Sequence, residues 1–317
     1  MRKFYKKHKK LKIALTLVIV LLLAIAVTIG VMLWKIYKDA VKVVPKDQVD
    51  YTASEVQIAE EDQKDDEVIN LLLVGSDSRD PEQDLGRSDS MMLLSYNKTQ
   101  NRASLVSFLR DTLVDIEGYG KSRLGHTMAY GGVGLTVNTI NDTFDLDIQN
   151  YITINFESLV SVIDQMGGIT VQINAEEAEY YRENGMPDIE EGEVQMTGSQ
   201  ALAYARNRTL GGDFSRTRRQ RTVMYGVYQK VRENPDPATI LSLVNFCVGQ
   251  VKTNMSVTDI YDLVMAIIQA DNLDVRQSYI PNEGLYTDVT YKGMAVLEID
   301  LEANKEYLHK LLYPGQE

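Results

Sequence analysis

The chain has 317 residues, of which 44% are hydrophobic and 25% are charged, as in an ordinary globular protein that can bury a large core. Its formal net charge is −12. Without the seven lysines and arginines of Met1–Lys12, 26 basic side chains remain against 45 acidic ones. A nucleic-acid-binding domain would be basic, so this class is excluded. Cys247 is the single cysteine, which excludes a disulfide framework and a cysteine-based zinc site.

The N-terminal residues predict a single-pass membrane anchor. A basic tail, residues 1–12, precedes residues 13–34, which are 22 residues without a charge. At about 1.5 Å per helical residue, this segment is long enough to cross the apolar core of a bilayer. The positive charges before it predict a cytoplasmic N-terminus and an extracytoplasmic domain at the cell membrane. Residues 35–67 are polar and acidic and predict a solvated linker.

From residue 68 to residue 317, strand and helix patterns alternate. The apolar run Val68–Gly75 predicts a strand buried on both faces, and Met91–Asn97 with Ala103–Leu109 predicts a hairpin. Further strands are expected at Tyr151–Asn155, Ile169–Ile173, Arg276–Ile280 and Val296–Ile299. Helices are expected at Gly134–Phe144, Phe156–Met166, Gly198–Arg206, Ser215–Glu233, Thr258–Asp271 and Glu302–Leu311. The pattern predicts an α/β domain, a three-layer sandwich with a central mixed β-sheet flanked by helices.

The segment Ala201–Arg221 is unusual because it holds six arginines, no lysine and one aspartate. In helical projection, Arg216 and Gln220 fall near the centre of an apolar stripe, whereas Arg218 falls nearly opposite, in solvent. A buried unpaired guanidinium is costly, so Arg216 either pairs with a buried carboxylate or lines a cleft. A helix N-terminus already attracts anions, and arginine is suited to bidentate phosphate contacts. The alternative is that these arginines are surface charges paired with Asp and Glu.

More arginines follow predicted strand ends, where ligands of open α/β sheets gather. Arg79 and Arg87 follow the first strand, and Arg110–Asp111 follows the third. Asp77 and Asp89 lie in or beside the same first loop. Guanidiniums for phosphate oxygens and carboxylates for Mg²⁺ or Mn²⁺ would suit a polyphosphate ligand. Each pair taken alone is equally compatible with ordinary turn chemistry.

Several other sites are excluded by the sequence. Gly120–Ser122 reads GKS, but Asp115 stands where a phosphate-binding loop needs glycine, and no G-x-S-x-G elbow is present. The three histidines are His8, His126 and His309, too few for a histidine-rich zinc site. Two interpretations of His126 remain open: its side chain faces the cleft, or it has a structural role.

Five segments in order, VGSDSR, GRSDSMML, SFLRDT, HTMAYGG and ALAYARNRTLGGDFSRTRRQR, resemble the LytR–CpsA–Psr family of bacterial cell-wall enzymes. The resemblance is strong over Val68–Arg232 and continues by length and pattern to about Tyr313. It implies a phosphotransferase that moves a glycopolymer, such as teichoic acid or capsule, from undecaprenyl pyrophosphate to peptidoglycan. The new bond would be a phosphodiester, usually to the C6 hydroxyl of N-acetylmuramic acid. The lipid tail would need an apolar tunnel between sheet and helices.

The resemblance also implies roles for individual residues. Asp77 and Asp89 would hold Mg²⁺ or Mn²⁺, and Asp111 would orient Arg110 or act as a base. The catalytic group would be Arg110, Asp111, Arg206 and Arg216. The pyrophosphate would be held or framed by Arg79, Arg87, Arg110, Arg206, Arg208, Asp213, Arg216, Arg219 and Gln220.

Three other functions remain in competition. A non-catalytic binder of polyprenyl pyrophosphate or wall polyanions would keep the arginines without needing the aspartates. A lipid pyrophosphatase would release the lipid without transfer. A transcription regulator is disfavoured, because only about a dozen residues are expected on the cytoplasmic side.

Overall fold

The computed structural model describes residues 67–76 and 88–313. The predicted tail, anchor and nearly all of the linker lie outside these residues, as do Asp77, Arg79 and Arg87. Within the two described ranges, no helix has both the length and the apolar character needed to cross a bilayer.

The strands are β1 (Val68–Ser76), β2 (Ser88–Asn97), β3 (Arg102–Phe108), β4 (Leu113–Ile116), β5 (Gly120–Arg123), β6 (Asn150–Asn155), β7 (Ile169–Ile173), β8 (Gly192–Met196), β9 (Lys252–Thr253), β10 (Asp274–Ile280), β11 (Tyr286–Tyr291) and β12 (Met294–Ile299). The α-helices are α1 (Thr127–Phe144), α2 (Phe156–Gln165), α3 (Ala175–Glu183), α4 (Gly198–Arg206), α5 (Gly212–Glu233), α6 (Pro237–Val248), α7 (Val257–Gln269) and α8 (Leu301–Leu312). A 3₁₀ turn, Leu124–His126, leads into α1.

The main sheet has six strands in the order β10-β3-β2-β1-β6-β9. Strands β1 and β6 are parallel, as are β3 and β10, whereas β2 runs antiparallel to both of its neighbours. As a result, the carboxyl ends of β1, β3, β6 and β10 and the amino end of β2 meet at one edge, where ligands of α/β sheets bind.

Helices cover both faces of this sheet. On one face, Leu72 and Phe108 share a buried core with Phe144 of α1 and Leu308 of α8. On the other face, apolar side chains of the sheet, among them Leu73, lie opposite α5 and α7 across a cavity. The prediction of an α/β fold with a central mixed sheet flanked by helices is confirmed.

Helix α1 begins at Thr127, seven residues before the predicted start. Its backbone departs from helical values at Gly131 and Gly132, where φ of Gly132 is 70°. The element is therefore two helical segments joined at a kink, and its glycines conceal the first segment in the sequence pattern.

Candidate active site

Arginines and aspartates from four separate segments converge at the edge where the parallel strands end. Asp89 lies at the start of β2, and Arg110 follows β3. Arg110 donates a hydrogen bond from Nη1 to Oδ1 of Asp89 over 2.6 Å. Arg208, from the loop after α4, approaches the same oxygen at 3.3 Å. The edge of the sheet thus joins chain segments more than 100 positions apart.

The first turn of α5 contributes Asp213 and Arg216 to this cluster. Arg216 donates from Nη2 to Oδ2 of Asp213 and to the backbone oxygen of Asp89, both over 3.0 Å. Asp213 also lies 3.5 Å from Nε of Arg110 and 3.7 Å from Nε of Arg208. This single carboxylate therefore contacts all three guanidiniums and fixes their spacing.

Arg216 is buried, with 2% of its surface exposed, yet it is not fully hydrogen-bonded. Its Nε and Nη1 atoms are inaccessible to solvent and have no acceptor in the described part of the chain. Buried polar groups nearly always have partners, and ordered water or the oxygens of a ligand can supply those that these two donors lack.

The pKa values reflect the mixture of charges. Burial lowers the pKa of Arg216 to about 10, and the cations of Arg208 and Arg110 act in the same direction against Asp213. For Arg110, burial acts downward, but Asp213, Asp89 and Asp111 together raise its pKa above the ordinary value. Arg216 is therefore the member of the cluster whose charge is least compensated, and an anion beside it would stabilise its protonated form.

Asp111 lies on the flank of the cluster between two guanidiniums. It is 3.9 Å from Nε of Arg110 and 3.3 Å from Nη1 of Arg123. Arg123 is not among the predicted site residues because it lies on β5, a short strand that no sequence pattern indicated.

The backbone of Arg110 is supported by Gly125, which donates its N–H to the Arg110 carbonyl over 2.8 Å. A Cβ atom at Gly125 would lie 2.8 Å from Cβ of Arg110, so the close approach requires glycine.

Arg206 and Gln220 lie at a neighbouring position, on the rim of a cavity of about 100 Å³ between the sheet and α2, α4 and α5. The guanidinium carbon of Arg206 sits 4.3 Å from the ring centroid of Phe156. The buried Oε1 atom of Gln220 has no hydrogen-bond partner among the described residues. Arg206 and Gln220 are therefore polar side chains in the lining of a mostly apolar cavity, next to the polar edge of the sheet.

Neighbouring cavities, together called the apolar passage, follow this one along α5. A second cavity, about 190 Å³, lies between the sheet, α5 and α7, and Leu73 and Met224 line both cavities. Val231 lines the second cavity and also a wider groove of about 620 Å³ between α2, α5 and α6. Of the apolar stripe predicted on α5, Met224, Val227, Tyr228 and Val231 line the second cavity, whereas Val223 packs in a buried core.

Arg219 does not join the cluster, contrary to the predicted pyrophosphate contact. It donates from Nε to Glu177 over 2.9 Å, from Nη1 to the carbonyl of Asn207 over 3.1 Å, and from Nη2 to that of Leu210 over 2.8 Å. With all three nitrogens engaged inside the protein, it serves to hold the loop that carries Arg208. Arg218, predicted to be in solvent, is 46% exposed in its side chain and bonds Glu177 over 2.7 Å.

Of the two predicted metal ligands, Asp89 lies within the described residues and Asp77 lies outside them. Over residues 67–76 and 88–313, no group of three or more His, Cys, Asp or Glu side chains is arranged to hold a metal ion. Both guanidinium contacts of Asp89 use Oδ1, which leaves Oδ2 as the oxygen to face a cation. Mg²⁺ is commonly held by one or two carboxylates and several waters, so Asp89 fits such a site as one ligand.

Named proteins are similar to this chain in sequence or in fold. A protein from Bacillus anthracis named polyisoprenyl-teichoic acid–peptidoglycan teichoic acid transferase TagU is 34% identical over 200 residues, covering 62% of this chain and 64% of the relative. This chain thus spans a little under two thirds of that relative. A TagU of Enterococcus faecalis is 31% identical over 238 residues, 74% of this chain and 77% of its own.

The solved structure of TagT bound to LI-WTA superimposes with a TM-score of 0.66 and 25% identity, covering 82% of this chain and 96% of TagT. Residues 31–311 match the LytR_cpsA_psr family, and the chain belongs to that family.

Proposed function

We propose that this protein is a phosphotransferase that moves a glycopolymer from a polyprenyl pyrophosphate carrier to peptidoglycan. The observation that carries the proposal is Arg216, a buried guanidinium with two vacant donors, in an arginine cluster beside the entrance of an apolar passage. The names of the TagU relatives supply the substrate class, a polyisoprenyl-linked teichoic acid and peptidoglycan.

The arrangement matches the three parts of such a donor. Its pyrophosphate would bind Arg110, Arg208 and Arg216, whose guanidiniums Asp213 holds together. Its prenyl chain would pass Arg206 and Gln220 into the apolar passage along α5. Its polymer would extend from the open edge of the sheet toward the acceptor.

The reaction needs charge stabilisation more than a reactive side chain. The acceptor hydroxyl forms a bond to the phosphorus that bears the polymer, and the bond from that phosphorus to the bridging oxygen breaks. Polyprenyl phosphate leaves with the bonding electrons, and its new negative charge faces Arg216 and Arg208. The hydroxyl proton passes to water or to the departing phosphate. Asp111, placed between Arg110 and Arg123, acts as a positioning residue for Arg110.

A divalent cation, Mg²⁺ or Mn²⁺, belongs to the same proposal. Asp89 and Asp77 would hold it, and it would neutralise charge on the pyrophosphate. We also propose that residues 13–34 anchor the protein in the cell membrane, with the N-terminus in the cytoplasm and residues 68–317 outside as one three-layer catalytic domain. This location would expose the site to both the lipid carrier and the wall.

Product analysis with the full-length protein tests the proposal. The reaction contains a polyprenyl-pyrophosphate-linked glycopolymer, Mg²⁺ and peptidoglycan, and we expect polymer in phosphodiester linkage to peptidoglycan together with polyprenyl phosphate. Arg216→Ala should reduce this product at least about 100-fold, as loss of a charge-stabilising donor does in other enzymes. The matched control Arg218→Ala, two positions along α5, should stay close to the unmodified protein.

Each alternative gives a different product. Polymer phosphate released without linkage to peptidoglycan would establish a pyrophosphatase. Binding without any turnover, with and without the metal, would establish a carrier-binding protein. Either result would overturn the transferase.

A further inference from the structure

Two tyrosines outside the arginine cluster form an exposed stacked pair. Tyr119 and Tyr130 are 50% and 37% exposed, and their rings lie 4.6 Å apart at an angle of 11°. The other large hydrophobic side chains that are exposed in the described part of the chain, Leu241 and Leu301, are aliphatic. Ordinary packing leaves single hydrophobic residues at the surface, but a paired aromatic surface indicates binding.

The pair is held rigidly by the backbone. The Tyr119 hydroxyl donates to the Tyr130 carbonyl over 2.9 Å. Tyr119 lies between Gly118 and Gly120, with φ of 75° and 71°, in the tight turn joining β4 and β5. Gly132, at φ 70°, breaks the helix just after Tyr130. Residues with a side chain rarely adopt positive φ, so the turn beside Tyr119 and the kink after Tyr130 require glycine.

The elements that carry the pair also build the flank of the arginine cluster. Arg123, which contacts Asp111, lies on β5 opposite Leu113 of β4, and the same hairpin ends in Tyr119. The 3₁₀ turn that supports Arg110 leads directly into α1 and Tyr130. Between them, Nδ1 of His126 lies 2.9 Å from Oγ of Ser122, and its ring meets that of Tyr130 edge-on at 5.8 Å. At about 3.3 Å per residue, the four residues of β4 place the pair roughly 13 Å along the hairpin from the cluster.

We propose that Tyr119 and Tyr130 form a subsite for a pyranose ring of a glycan chain, beyond the phosphate-binding residues. Their flat apolar faces match the apolar face of a sugar ring, while the exposed side chains of Asp115, Glu117 and Lys121 on the same hairpin offer partners for its hydroxyls. Two rigid aromatic rings lose little conformational entropy on binding. The inference rests on the proposed function, which brings two glycans to this site, the donor polymer and the peptidoglycan strand. The subsite selects and aligns a glycan and takes no part in bond making.

Direct binding tests the subsite without any turnover. Trp34 is the single tryptophan of the chain, so a Tyr119→Trp variant adds one reporter whose signal is read against the unmodified protein. The two probes are peptidoglycan glycan strands without stem peptides and the glycopolymer freed from its lipid. A saturable fluorescence change with either probe supports the subsite and identifies its glycan. No change with either one overturns the inference.

Steady-state kinetics supply the second test. Tyr119→Ala should raise the KM for the glycan identified above roughly five- to tenfold with an unchanged kcat, as expected for loss of one stacking contact. Tyr119→Phe keeps the ring but loses the hydroxyl bond to Tyr130, so its KM should lie between the parent value and that of Tyr119→Ala. Leu241→Ala, which removes another exposed hydrophobic residue from α6, should leave both parameters unchanged.

The outcomes separate this inference from the proposed function. Normal transfer with an unaltered KM in Tyr119→Ala would overturn the subsite and leave the transferase in place. Glycan binding without transfer would support the subsite and overturn the transferase. Concentration-dependent dimers in gel filtration that disappear in Tyr119→Ala, without glycan binding, would overturn the subsite by assigning the pair to self-association.

Discussion

At the scale of single residues, the hydrogen-bond partners of an arginine, and not its burial, distinguish a ligand-binding arginine from a structural one. Arg216 and Arg219 are both almost fully buried and lie three positions apart on α5. Arg219 has a partner for every nitrogen, whereas Nε and Nη1 of Arg216 have none among the described residues. Helical projection predicted the apolar-side position of Arg216 from the sequence. It did not predict Glu177, because that residue lies on α3, a polar helix with no apolar stripe in its sequence.

This difference predicts that the two substitutions to alanine change the stability by different amounts. Arg219→Ala removes three hydrogen bonds from two loop carbonyls and Glu177, so it should lower the free energy of unfolding by about 3–5 kcal/mol. Arg216→Ala relieves an incompletely paired buried charge and should change it by less than about 1 kcal/mol. Urea denaturation of both variants measures the difference, with Arg218→Ala as the half-exposed control, expected within about 1 kcal/mol of the parent. Equal losses for Arg216 and Arg219 would contradict the separation into ligand-binding and structural roles.

At the scale of elements, α5 joins the polar edge to the apolar passage. Its first turns carry Arg216 and Gln220, and Met224 and Val231 follow on the side that faces the cavities. From Gln220 to Val231 the helix rises about 17 Å. The sequence predicted this helix well, because a long amphipathic pattern is a strong signal. It did not predict α6, although Thr239, Ser242 and Asn245 recur there at the i, i+3 spacing of a helix among apolar residues.

Blocking the passage should separate long lipids from short ones. Met224 lines both cavities, so Met224→Trp should fill their junction while costing about 1–3 kcal/mol in overpacking. We expect transfer from a long-chain polyprenyl donor to fall at least about tenfold, and transfer from a donor with one or two isoprene units to change little. Met224→Leu preserves the volume and is the control. Equal losses with both chain lengths would show that the lipid does not follow α5.

At the scale of the whole molecule, an acidic protein brings Arg110, Arg208 and Arg216 together at one edge of the sheet. Because the net charge is −12, attraction of an anionic polymer depends on local groups of basic side chains such as this cluster. The alternation of strands and helices predicted the fold class and the edge where ligands gather. It could not predict the contacts themselves, because Asp89 meets Arg208 and Arg216 across 119 and 127 positions, and no local pattern encodes such pairings.

A ligand that binds this cluster should stabilise the whole folded molecule against unfolding. A prenyl pyrophosphate that binds the folded state alone, at 100 times its Kd, should add about 2.7 kcal/mol to the free energy of unfolding. For a domain of this size that is a rise in Tm of roughly 5–10 °C, measurable by calorimetry. Arg216→Ala should lose most of this rise, because the ligand loses the guanidinium that has vacant donors, while Arg218→Ala should keep it. The corresponding prenyl alcohol, which has no phosphate, should give only a small rise in every variant. If the alcohol stabilises the protein as strongly as the pyrophosphate, the apolar passage dominates binding and the arginine cluster does not select the ligand.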